Sequence, residues 1–172
     1  MKAVRTIIRT IDSINGSVGS GVKWLTLLLV LITVYDVVMR YIFHAGSVYI
    51  QELEWHLFAA NFMLAAGWTL LNEGHVRVDF FYARLSNKKK AWIDFLGSII
   101  FCLPYCMLVI WASWPLIADS WSIWEGSPDP GGLPARYLLR TVIPVAFLLL
   151  GLQAIVQAVK SFFIIVREEE KS

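Results

Sequence analysis

VKWLTLLLVLITVYDVVMRYIF, residues 22–43, is the stretch that decides the fold. A bilayer core about 30 Å thick needs roughly 20 mainly apolar residues in a helix, and this run meets that length. Three further blocks of the same kind follow, at about 53–71, 92–117 and 142–166. They are too long for strands, and they lack the alternation over about 10 residues that a membrane barrel requires. The chain is 58% hydrophobic and 16% charged, whereas a soluble domain carries about 25% charged residues. The sequence predicts an all-α integral membrane protein with four transmembrane helices in a single membrane domain, residues 1–172. Its length leaves no room for an added soluble domain.

Residues 1–21 read as a separate element. Val4, Ile7, Ile8, Ile11 and Ile14 repeat at helical spacing, with Lys2, Arg5 and Arg9 on other faces. This pattern predicts a short amphipathic helix in the membrane interface. A cleaved signal peptide is the rival reading. The first apolar block exceeds a signal core of about 7–15 residues, and Phe43-His44-Ala45 places a large residue at the cleavage position. An uncleaved first span is therefore expected.

Basic residues set the orientation, because loops rich in Lys and Arg stay in the cytoplasm. Lys2, Arg5, Arg9 and Lys23 precede the first span. Arg77, Arg84, Lys88, Lys89 and Lys90 lie between the second and third. Both termini are expected in the cytoplasm, with two loops outside. The lysine run stands between apolar blocks without an aromatic platform, so it reads as a topology signal and no nucleic acid is expected.

The second block ends on a dense polar string, Glu73-Gly74-His75-Val76-Arg77-Val78-Asp79. If extended, Glu73, His75, Arg77 and Asp79 share one face. If helical, Glu73 pairs with Arg77 and His75 with Asp79. Either geometry lays a short interfacial segment at the cytoplasmic surface, continued by Phe81, Tyr82 and Leu85. Beyond the third block, Ser127-Pro128-Asp129-Pro130-Gly131-Gly132-Leu133-Pro134 forbids a continuous helix and favours turns. Trp111, Trp114, Trp121 and Trp124 precede it on one broad helical face. An aromatic belt explains them. Yet a helix from Trp92 to Trp124 would reach about 50 Å, which also allows a protruding end that presents Trp121 and Trp124 to a partner.

Charged side chains in spans cost free energy and need partners. Asp36 and Arg40 stand four residues apart near the end of the first span. Glu52 and Glu54 open the second, within reach of Arg40, and an ion-pair lattice between the two helices is expected. Gln153, Gln157 and Lys160 share a face of the fourth span. Asn61 lies on the second among Ala59, Ala60, Ala65, Ala66 and Gly67, small residues that permit close helix approach. Asn61, Gln153 and Gln157 are candidates for a surface facing a partner with its own transmembrane helices.

No catalytic residues, cofactor or metal site is expected. Cys102 and Cys106 lack the further ligands a metal needs. His44, His56 and His75 are not at mid-depth, where haem ligands would stand. Glycine-rich phosphate loops and nucleophile–base pairs are missing from the sequence.

Arg40-Tyr41-Ile42-Phe43 closing the first span, Glu52 opening the second and Gly74-His75-Val76-Arg77-Val78-Asp79 after it carry a resemblance. The chain resembles the small membrane subunit of tripartite ATP-independent periplasmic (TRAP) transporters. Gln51-Glu52-Leu53-Glu54 departs from the two adjacent acids that the family often shows. The resemblance implies a scaffold in the bacterial inner membrane. It would stand beside a large multi-helix membrane subunit that carries substrate and sodium sites, with a periplasmic binding protein delivering organic acids. Membrane lipid is the other expected contact. A stand-alone, homo-oligomeric small transporter or channel is the alternative, and a membrane anchor for a quinone-linked enzyme a weaker one.

Overall fold

The structure is a computed structural model that describes residues 2–72 and 85–169, with side chains through 167. The string Glu73–Asp79 and the segment through Phe81 and Tyr82 lie outside the described residues, so their two geometries are not decided. Among the described residues there are four long helices: α1 (Lys2–Tyr41), α2 (Val48–Leu71), α3 (Asn87–Ser122) and α4 (Arg136–Glu169). Among the described residues, α1, α3 and α4 are long and apolar enough to cross a membrane. Helix α2 is not one of these; its 24 residues include Gln51, Glu52, Glu54, His56 and Asn61.

The expected boundary at residue 21 is absent. Residues 2–21 do not form a separate helix, because α1 runs for 40 residues from Lys2 to Tyr41. At about 1.5 Å per residue that is near 60 Å, twice the bilayer core. Glycine at 16, 19 and 21 does not break it, since a glycine inside a helix weakens the turn but keeps its hydrogen bond. At Gly19 the missing Cβ has a use: the Trp68 ring of α2 occupies the space a side chain would fill. The third and fourth elements also run past the expected 92–117 and 142–166.

Helix α3 contains a π-helical stretch, Gly97–Cys102. Pro104 follows one residue beyond it, after Leu103. Proline has no N–H for the carbonyl four residues back, here that of Ile100. The wider i→i+5 register offers that carbonyl the next N–H along.

Helix α4 is the hub. It packs on α2 and α3 and crosses α1, while α1 packs mainly on α2. The helices thus stand in the order α1, α2, α4, α3, and among the described residues no substantial interface joins α1 to α3. The most apolar stretch of α4 is 39% buried, against 11% for α1 and for α3. Ala146, Leu150, Ala154 and Ala158 form a buried ridge along α4 at spacings of four. The three alanines are small and admit neighbours on both sides. Leu70 of α2 and Cys106 of α3 close on Leu150 and Ala154, with Ala66, Cys102, Leu103 and Phe147 around them.

Candidate functional site

Two polar constellations sit at opposite ends of the helices. One lies at the end where the loops 42–47 and 123–135 connect the helices. The other lies toward the end carrying both termini.

At the loop end, Glu52 is one turn into α2 and only 6% exposed. Its carboxylate accepts a hydrogen bond from the Ser127 hydroxyl and, at 2.6 Å, one from the Leu133 backbone N–H. Gly132 lies against it, where a Cβ would meet the Ser127 side chain and Glu52 Oε2. The loop closes on itself through Ser127 N–H to the Leu133 carbonyl at 2.8 Å and Gly132 N–H to the Asp129 carbonyl at 3.0 Å. The Ser127 hydroxyl bond, then the Leu133 N–H, then the charges of His56 and Arg136 hold the Glu52 carboxyl below its ordinary value. A charge-assisted bond to an ionised oxygen favours the ionised form. Arg136 itself lies 5.4 Å over the Trp55 ring.

A second acid ties the other side of the loop. Glu125 accepts from the Arg140 guanidinium at 2.6 Å and from the Ser120 hydroxyl at 2.7 Å. Its backbone carbonyl takes the Arg136 N–H at 3.0 Å. Above it Trp121, Trp124 and Tyr137 form an aromatic cluster, with Tyr137 4.6 Å from Trp121 and 5.4 Å from Trp124. The Trp121 indole N–H donates to Thr141 at 2.9 Å. Trp124 is 67% exposed and has a φ of 50°, left-handed backbone that a bulky residue adopts at a cost.

Asp36 is 2% exposed and pairs with Arg40 on the same helix. The expected lattice from Arg40 to Glu52 does not form among the described contacts, because the Glu52 oxygens are held by the loop. Glu54 Oε1 and His56 Nε2 are both buried without a partner among the described residues, while His56 Nδ1 lies 2.7 Å from the Glu52 carbonyl.

Toward the terminal end, α1 crosses α4 through a continuous polar chain. Asn15, fully buried, donates to Gln153 Oε1 at 2.9 Å. Gln153 donates to Asp12 at 3.0 Å, and Lys160 binds the other Asp12 oxygen at 2.9 Å. Asn15 Oδ1 has no partner among the described residues and lies where a Cβ on Gly67 would stand. Gln153, expected on a partner-facing surface, is instead 1% exposed and turned into the chain. Asn61 accepts from Thr26 at 3.0 Å across α1 and α2. Gln157 lines a small cavity of about 230 Å³ with Leu70, Ile93, Asp94, Gly97 and Ser98.

Glu125, Asp12 and Asn15 were not singled out by sequence reasoning. Asn15 lies inside the stretch read as an interfacial helix, and Glu125 beside a proline-rich loop. Spacing marked Lys160 on the Gln153 face, but no sequence signal named its partner. Among the described residues no three His, Cys, Asp or Glu side chains gather as a metal site. Each polar cluster joins elements within the chain, so the geometry is that of a brace.

A search of curated proteins returns no match. A family model described as "Tripartite ATP-independent periplasmic transporters, DctQ component" matches residues 29–163, most of the chain.

Proposed function

Because the chain belongs to the family of the DctQ component of tripartite ATP-independent periplasmic transporters, we propose that this small membrane subunit acts as a scaffold. On this reading it is a four-span protein of the bacterial inner membrane, with α2 as the shortest span and both termini in the cytoplasm. It holds a large membrane subunit that carries the substrate and sodium sites and imports organic acids delivered by a periplasmic binding protein.

One observation supports the scaffold role above others. The buried polar side chains are largely spent on holding the chain together, while the apolar faces of α1 and α3 remain 11% buried. Glu52 and Glu125 clamp the loop, and Asp12, Gln153, Asn15 and Lys160 brace α1 to α4. A transport path would instead present ionisable groups to a water-filled route through the membrane. The basic residues Lys2, Arg5 and Arg9 at the start of α1 and Arg167 at the end of α4 support the cytoplasmic placement of this end.

The exposed Trp121 and Trp124 at the loop end are the proposed contact for the binding protein. Glu73, His75, Arg77 and Asp79 are proposed to seat the chain at the cytoplasmic surface. Purification in mild detergent tests the whole reading. A large membrane subunit should come with this chain, and vesicles holding this chain alone should transport nothing. Substrate uptake by this chain alone would overturn the scaffold role and favour a stand-alone transporter.

A further inference from the structure

We propose that the face of α3 around Trp111 and Trp114 is where the large membrane subunit docks, through a transmembrane helix that brings hydrogen-bonding side chains. This rests on the scaffold reading above and adds which surface is used.

Met107, Ile110, Trp111, Ala112, Trp114 and Pro115 line an open groove of about 810 Å³. Apart from Ala112 they form one stripe at helical spacing. Trp111 is 77% exposed and Trp114 65%. Depth decides what this stripe can face. Ser120, held by Glu125, marks the polar boundary of α3. At 1.5 Å per residue Trp111 lies about 14 Å below it, near the middle of a core about 30 Å thick. Belt tryptophans sit at headgroup level. Trp111 is too deep for that role.

Three hydrogen-bonding groups on this stripe want a partner. The indole N–H groups of Trp111 and Trp114 find no acceptor among the described residues, whereas that of Trp121 has Thr141. The third is the Trp111 carbonyl. Pro115 has no N–H to give it, and here the α-register continues through the proline without the π-turn that precedes Pro104. Lipid tails can satisfy none of the three, and a polar group left unpaired in hydrocarbon is costly. Ala112 beside them leaves room for a backbone to come close. A protein helix with Ser, Thr, Asn or Gln side chains fits this surface; acyl chains do not.

The test uses the transporter complex in mild detergent. Trp111→Leu combined with Trp114→Leu should lower the large subunit recovered with this chain by at least fivefold. Leu31→Ala, on the exposed face of α1, should leave recovery unchanged. A photo-cross-linking residue placed at Ala112 should bond to the large subunit. It keeps the proposal testable if the double variant folds poorly. Cross-links to a second copy of this chain, or to lipid only, would overturn the assignment. So would full recovery with the double variant. Failure of the unaltered chain to recover any large subunit would instead sink the scaffold reading itself.

Discussion

Gln153→Leu should loosen the crossing of α1 and α4 by about 2 kcal/mol. The side chain is 1% exposed, and leucine fills nearly the same volume, so the change is chiefly one of hydrogen bonds. Asn15 loses its 2.9 Å bond. What remains to it are the carbonyls of Ile11 and Leu149 at 3.4 and 3.5 Å, beyond the usual range of about 2.7–3.2 Å. A buried donor left in that state costs about 1–3 kcal/mol. Asp12 loses one bond but keeps Lys160 and is partly exposed, so its share is about 0.5–1 kcal/mol. Interhelical bonds in membranes average about 0.6 kcal/mol, which pulls the sum to the low end. For a chain of this size about 2 kcal/mol lowers the melting temperature by roughly 4–8 °C. Tryptophan fluorescence of the purified protein on heating reads it. In an Asn15→Ala background no amide is left to orphan, so the same substitution should cost about 1 kcal/mol less. Equal losses in both backgrounds, or a shift under about 1 °C, would refute the reasoning.

Gly67→Ala should destabilise by about 1–3 kcal/mol, because its Cβ runs into Asn15 Oδ1 and approaches the Leu149 backbone to 3.4 Å. Gly16→Ala, which faces open space, should be neutral or up to about 1 kcal/mol stabilising in the same melt. The Glu52 carboxyl has a pKa lowered from 4.5. A depressed carboxylate adds stability above its unfolded pKa and loses it as pH falls through the folded value. Hydrogen exchange at Leu133, corrected for its intrinsic rate, should therefore stay slow from neutral pH to about 4.5 and quicken below. Glu52→Ala should make it fast throughout, and a slow Leu133 in that variant would exclude the latch. Arg140→Leu leaves Glu125 with only the Ser120 hydroxyl and should cost about 1–3 kcal/mol. Faster proteolysis of the loop 123–135 would show it, with Glu125→Gln restoring part of the loss.

Local features were legible in the residues themselves. Apolar runs of about 20 residues mark helices, and the blocks at 22–43, 92–117 and 142–166 lie largely inside the three most apolar ones. Asp36 and Arg40 meet because residues four apart share a helix face. Glu52 misled for a physical reason: Arg40 was the nearest cation in sequence, but the carboxylate binds groups 75 and 81 residues away. The break expected near Gly21 failed because composition changes there while the backbone has no cause to stop.

The sequence by itself determined the class, the helical blocks, the charge asymmetry and the family resemblance. All follow from hydropathy, periodicity and short motifs, which are properties of neighbours in the chain. Only the tertiary structure decided that α4 is the hub and that Gln153 turns inward to Asp12 and Asn15. It also decided that Glu52 holds the loop. These depend on which helices lie side by side, and hydropathy does not encode that order: apolar faces gain little from one another in lipid. Small residues and paired polar groups then choose the partners.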